Sequence, residues 1–309
     1  LKNVWVSNEF IKIFGKPKKY SNKLTKHHMN IAKALQDRLE YVVCKQLRYL
    51  KKKYKIENLC LAGGVALNCS LNGKIKKEKI FKNIFIQPAS GDAGISYGSC
   101  LVSTIKRKKL NTKKISNFFA GTRESEKVIK KNLIKSKIKF KRFNDKIIQN
   151  EIAKKLLEGK IIGVFRGPAE FGPRALGNRS IISKPFPVEM KDHLNKNVKF
   201  REFFRPFAPM VLNEKKEEFF DLNQESPHML IACKAKMKNK SKISAVVHVD
   251  NSCRVQTVTN KTNPFFYKLL KNFYKKSGVP VILNTSFNIK GQPIVNDSND
   301  AIKCFKNIK

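Results

Sequence analysis

The stretch Gly167–Ser180, GPAEFGPRALGNRS, holds three glycines, two prolines and two arginines. The prolines fix φ, and the glycines permit turns closed to other residues. The stretch therefore predicts a rigid loop whose arginines are ordered before anything binds. Arg174 and Arg179 are candidates for a phosphate site, with Glu170 placed to orient one of them through a charge-assisted pair. A salt-bridge loop between domains is the plainer alternative. Upstream, KIIGVFRG reads as a strand that delivers the loop.

The arginines stand out against the rest of the chain. Its 309 residues carry a net charge of +42, with eleven arginines among 65 basic residues. Six of the eleven fall between Arg166 and Arg254, in segments rich in Gly, Pro and Phe. Where lysine has replaced arginine almost everywhere, the surviving arginines mark places that need a planar, bidentate cation, as carboxylates and phosphates do. The lysines, by contrast, are scattered over the whole chain. Together with abundant Asn, Ile and Phe they read as compositional drift rather than as a nucleic-acid footprint. The seven cysteines are odd in number and form no CxxC pair. They read as reduced, mostly buried thiols of a cytoplasmic protein. No apolar run approaches the roughly 20 residues of a membrane span.

Outward from the loop, residues 27–55 read as a helix, with Ile31, Leu35, Leu39, Val42, Val43 and Leu47 near helical spacing. Leu59–Ala62 is a short strand. Gly63 and Gly64 follow it, and VALNCSLNGKI opens a helix, an order that suits close backbone approach to an anion. Ile84–Ile86 is a second strand, followed by a helix with a small-residue face (Gly91, Gly94, Gly98). Asp92 at its start is either an N-cap or a metal ligand. Residues 106–116 read as a basic linker. Two amphipathic helices follow, ESEKVIKKNLIKS and DKIIQNEIAKKLLEGK, the second stopped by Gly159.

In KFREFFRPFAP, Lys199, Arg201 and Arg205 alternate with phenylalanines. The favoured reading is an aromatic core that pins cations in a pocket, and base stacking on single-stranded nucleic acid is the alternative. AVVHVDNSCRVQTV reads as a strand pair around a DNS turn, with Arg254 and Gln256 on one face and His248 structural. GVPVILNTSFNIKGQPIV gives a buried strand, Val279–Leu283, opening into Asn284, Thr285, Ser286 and Asn288. That polar end suits a small group carrying an amide.

Six segments in one order carry a resemblance: LCLAGGVALNCSLNGKI, QPASGDAGISYGS, EFGPRALGNRSI, KFREFFRPFAP, HVDNSCRVQTV and GVPVILNTSFNIKGQPIV. They resemble the carbamoyltransferase family that includes the nodulation protein U type and antibiotic O-carbamoyltransferases. The resemblance implies an α/β protein. Residues 1–105 would be the second lobe of an actin-like (ASKHA, RNase H-like) domain, and residues 117–309 a YrdC-like domain beyond the linker. It implies that the YrdC-like domain makes carbamoyl adenylate from ATP and carbamoyl phosphate. The actin-like domain then passes the carbamoyl group to a hydroxyl of a small-molecule acceptor, with a divalent metal, iron or magnesium, bound. Arg174, Lys199, Arg205, Arg254 and Asn284 match the ATP and carbamoyl phosphate pocket. Gly63, Gly64 and Asn68 match the nucleotide segment, and Asp92 a metal ligand. Pro168 stands where the family's loop has an arginine.

The chain opens on Leu1 and lacks the family's histidine-rich metal motif. It therefore reads as a fragment incomplete for the transfer step. No membrane or nucleic-acid partner is expected, and a homodimer is compatible with the reading. The competing readings are a basic nucleic-acid-binding protein that kept the fold without catalysis, and a tRNA threonylcarbamoylation enzyme.

Overall fold

The computed structural model describes residues 6–18, 23–107 and 118–308. Most of the expected linker, from 108 onward, lies outside the described residues. Lys106 itself closes a helix. The chain divides into two compact units, one made of Leu1–Asn58 and Lys74–Asn83, the other of Leu59–Gly73 and Ile84–Lys309.

In the first unit, α1 (Asn8–Phe14) is capped by Ser7, whose hydroxyl accepts from the Phe10 N–H at 3.2 Å. Helix α2 (Lys26–Tyr54) starts at a capping box between Thr25 and His28. Its helical spacing is as the sequence predicts, but among its residues only Cys44 and Leu47 are buried. Arg48 pairs with Glu78 and Lys51 with Glu57 near the helix end.

The second unit takes in all but the first residue of β1 (Asn58–Leu61), a 3₁₀ turn over Gly64–Leu67, and the first five residues of α3 (Cys69–Lys77). Strand β2 (Asn83–Ile86) pairs with β1, and α4 (Gly94–Lys106) follows. Asn72, on α3, is 1% exposed and donates to the carbonyls of Ala66 and Leu230, both at 2.8 Å. A Cβ on Gly73 would lie 2.1 Å from the Ala232 carbonyl oxygen. The N-terminal segment of this unit is thus sewn to residues more than 150 positions away.

Helices α5 (Glu126–Lys135) and α6 (Asp145–Leu157) lead into β3 (Ile162–Phe165) and β4 (Arg179–Ser183). After α7 (Glu189–His193) and a π-helical turn over Leu194–Val198 come β5 (Ala208–Leu212), α8 (Lys216–Phe219), β6 (Ala232–Lys234), β7 (Ser252–Arg254) and β8 (Gln256–Val258). Helix α9 (Pro264–Ser277), β9 (Val281–Ser286) and α10 (Ser298–Lys306) complete the unit. Five strands form one sheet in the order β3-β4-β9-β5-β8, antiparallel except for the β5–β8 pair. This is a mixed α/β fold.

Helix α9 packs against α6, β5 and β9. Its start is set by Asn263, which accepts from the Phe266 N–H, and by Pro264 in the first turn. It buries Phe265, Phe266, Leu269, Leu270 and Phe273, each worth roughly 1.5–3 kcal/mol relative to exposure.

Two local expectations are corrected. AVVHV is not a strand: Ser241–Val246 is 3₁₀, and a tight turn at His248–Ser252 feeds β7. The run after the turn is two short strands rather than one; β7 pairs with β6 and β8 with β5. The last strand starts and ends later than expected, so Asn284, Thr285 and Ser286 lie inside β9 rather than beyond it. All seven cysteines are free thiols; Cys44, Cys253 and Cys304 are buried, whereas Cys60 and Cys100 are exposed.

Candidate functional site

The loop that joins β3 to β4 is braced by two charged side chains. Glu170 Oε1 accepts from the backbone N–H groups of Leu176 at 2.6 Å, Asn178 at 2.8 Å and Arg179 at 3.2 Å. The sequence pairs Glu170 with an arginine; its carboxylate gathers backbone donors that the turn would leave unpaired, and its charge acts on Arg179. Arg179 is 1% exposed, and its guanidinium donates to the carbonyls of Arg166, Gly167, Asn178 and Thr122 at 2.8–3.2 Å. It also stacks on Phe165, 3.8 Å from the ring centre. Both terminal nitrogens of Arg179 are therefore committed to the loop, and only its buried Nε lacks a partner. Gly172 has φ +125°, and a Cβ there would lie 2.9 Å from the Pro88 carbonyl oxygen, so the turn requires glycine.

Arg174 behaves differently. One terminal nitrogen donates to the Leu67 carbonyl at 3.4 Å, while its buried Nε has no partner. Burial lowers its pKa. Leu67 ends the turn that starts with Gly63 and Gly64, so the contact brings this segment to Arg174. Gly63 has φ +90°, and a Cβ on either glycine would meet nothing within 4 Å. Asn68 Oδ1 accepts from the Leu71 N–H at 3.0 Å, which makes it the cap of α3.

Arg254, at the end of β7, has no acidic partner among the described residues. Burial first, then the charge of Arg174, with a further contribution from Arg201, pushes its pKa down to about 10. Arg201 is likewise pushed down to about 10, by burial and then by Arg205. Its Nε donates to Asn195 Oδ1 at 2.7 Å, and its guanidinium lies 4.6 Å from the Phe207 ring centre. Arg254 thus lies within the field of both Arg174 and Arg201, while Arg201 is partly offset by Glu202. The sequence reading left Arg201 out of the site. The scarcity that marked the other arginines marks it too.

Arg205 lies toward solvent, with its side chain 53% exposed and its Nε 2.9 Å from Glu202 Oε2. Glu202 is held down to about 2, by a hydrogen bond from its own backbone N–H and then by Lys290. The expected four-ring core around these cations is not formed. Phe207 is 2% exposed, but Phe200, Phe203 and Phe204 are exposed, because the chain leaves the π-helical turn with Phe200 at positive φ and runs irregularly to Pro206.

Lys199 sits inside the fold. Its ammonium, on a residue 3% exposed, donates to Ser286 O and Asn288 O, both at 2.8 Å, to Asn288 Oδ1 at 2.6 Å and to Ser286 Oγ at 3.3 Å. It pins the exit of β9. Burial pushes its pKa down to about 7. Asn284, one turn of the pleat earlier, donates to Ala175 O at 3.2 Å and Gln256 Oε1 at 2.8 Å, while its own Oδ1 is buried without a partner.

Asp92 is exposed in the turn before α4; Ala93 is the helix cap, and no side-chain cap bond forms. Among the described residues no three His, Cys, Asp or Glu side chains come together to hold a metal. One carboxylate by itself does not complete a divalent site. His248 is pushed down to about 4 by burial. The Ser252 hydroxyl donates to Asp250 Oδ1 at 2.7 Å, and the group is a turn brace rather than a nucleophile with its base.

Around Arg254 the fold thus presents guanidiniums short of acidic partners, and elsewhere an open glycine turn and a buried amide with a free acceptor. Residues 1–101 match the family model described as the carbamoyltransferase N-terminus, and residues 153–309 the one described as the carbamoyltransferase C-terminus. The chain belongs to the carbamoyltransferase family. Nodulation protein NolO of Bradyrhizobium diazoefficiens is 38% identical, over 91% of this chain and 52% of its own length. An uncharacterized protein of Synechocystis is also 38% identical, over 97% and 53%. Nodulation protein U of Rhizobium fredii is 32% identical, over 76% and 39%. The chain spans about half the length of the curated relatives it matches. Among solved structures, full-length HypF in its phosphate- and nucleotide-bound form aligns at 20% identity over 52% of this chain and 23% of that one. Its TM-score of 0.39 is too low to transfer a site.

Proposed function

We propose that this chain forms carbamoyl adenylate from ATP and carbamoyl phosphate, as part of an enzyme that passes the carbamoyl group to a hydroxyl of a small molecule. Residues 117–309 are the adenylate-forming domain in this reading, and residues 1–105 belong to the transfer domain. The observation that carries it is the set of half-buried guanidiniums, Arg174, Arg254 and Arg201, with no carboxylate among the groups that shift the first two. Such a cluster is unfavourable when empty and is relieved by polyphosphate.

Adenylyl transfer asks mainly for placement and charge neutralisation. Arg174 and Arg254 hold phosphate oxygens from two sides, and Arg201 and Arg205 extend the positive field. Gly63 and Gly64 let the backbone come close, next to the α3 N-terminus that Asn68 caps. Asn284 meets the carbamoyl group. Lys199 acts through β9, holding Ser286 and Asn288 in place.

The test is ATP–pyrophosphate exchange that depends on carbamoyl phosphate. Arg254→Ala lowers the exchange by about a hundred-fold, the scale of losing one preorganised donor at a developing charge. Lys106→Ala, at the end of α4, leaves it unchanged. A wild-type chain without such exchange overturns the reading.

A further inference from the structure

Gln256 and Asn284 lie on β8 and β9 with β5 between them. Gln256 is beside Met210, and Asn284 is opposite Ala208. The small side chain of Ala208 leaves room for the two amides to meet across β5. Asn284 Nδ2 donates to Gln256 Oε1 at 2.8 Å and to the Ala175 carbonyl at 3.2 Å, and Gln256 Nε2 donates to the Leu176 carbonyl at 2.9 Å. Both ends of this relay are backbone carbonyls, which only accept. The orientation of both amides is thereby fixed, because turning either one sets oxygen against oxygen. What remains is Asn284 Oδ1, buried and without a partner, on a residue 1% exposed. A buried acceptor calls for a donor.

We propose that Gln256 is a positioning residue that locks Asn284 with its Oδ1 free, so that the site selects an acyl phosphate whose acyl group carries an N–H, a carbamoyl over an acetyl. This rests on the function proposed above. The two acyl groups differ by NH2 against CH3 at nearly equal volume, so shape separates them poorly. A buried acceptor separates them well: the NH2 satisfies it, and the methyl leaves it unpaired.

Calorimetric titration of the 309-residue chain with carbamoyl phosphate and with acetyl phosphate, in the presence of a non-hydrolysable ATP analogue, tests this. The wild type prefers carbamoyl phosphate by about a hundred-fold or more. Gln256→Met removes both amide contacts at similar volume and lowers that preference about ten-fold, with affinity for the ATP analogue within about two-fold. Gln256→Glu adds a readout that a merely structural role does not move. While protonated, its O–H donates to Leu176 O and its carbonyl accepts from Asn284, so the preference is kept; it falls as pH rises and the carboxyl ionises.

Equal binding of the two acyl phosphates by the wild type overturns the inference and leaves the adenylation reading standing. Binding of neither overturns that reading and the inference with it. An unchanged preference in Gln256→Met overturns the role of Gln256. If that variant does not fold, a flat pH profile for Gln256→Glu does the same.

Discussion

Four cations in one motif-bearing stretch are put to opposite uses. Arg179 and Lys199 give their hydrogen bonds to carbonyl, hydroxyl and amide oxygens of the chain itself, whereas Arg174 and Arg254 keep most of theirs unspent. Nothing in the local sequence distinguishes the two pairs. The partners of Lys199 lie 87 and 89 positions away, and only the folded register of β9 brings them in. Lys199 also yields a prediction with a definite sign. Burial moves its pKa from 10.5 down to about 7. Between those values the unfolded chain holds a proton that the folded chain has lost, so stability rises with pH across that window. Urea denaturation at pH 6.5, 8 and 9.5 checks it: the wild type gains on Lys199→Met, which carries no titrating group there, as pH increases. Parallel curves for the two proteins refute the assignment.

At the scale of elements, the loop between β3 and β4 is held by one carboxylate oxygen that accepts three N–H groups. Glu170→Ala strands those donors and lowers the folding free energy by about 2–4 kcal/mol, while Glu170→Gln recovers part of it because one acceptor remains. Chemical denaturation of the three proteins measures the order. Gly172→Ala costs about 1–3 kcal/mol, through its positive φ and the Pro88 carbonyl in its path; a variant as stable as wild type contradicts that geometry. The rigidity of this loop was legible from its prolines and glycines, as were α2 and α6 from their apolar spacing. The pairing of β7 and β8 was not. The two strands look like one alternating run, but Val255 separates them and each finds a partner far away in sequence. The exposed Phe203 and Phe204 were misread for a related reason. Composition suggests burial, but a chain bent at Phe200 and Pro206 has no neighbour to offer them.

For the molecule as a whole, the charge of +42 governs encounters rather than the fold. The lysines are spread along the sequence, while Arg254 lies in the field of two other arginines, Arg174 and Arg201. Single-stranded RNA is expected to bind weakly and non-specifically, with affinity falling steeply between 50 and about 200 mM salt and unaffected by ATP. Filter binding in both conditions checks this, and RNA displaced by ATP would point back to a nucleic-acid role for the site. No helix among the described residues is long and apolar enough to cross a membrane.

The contacts of Asn72 with Leu230, Gly73 with Ala232, Arg174 with Leu67 and Gly172 with Pro88 all join sequence before residue 107 to sequence after residue 118. These contacts hold the two stretches side by side. Two separately expressed polypeptides, one ending at 107 and one starting at 118, should therefore complement each other and co-purify as a nicked but assembled protein.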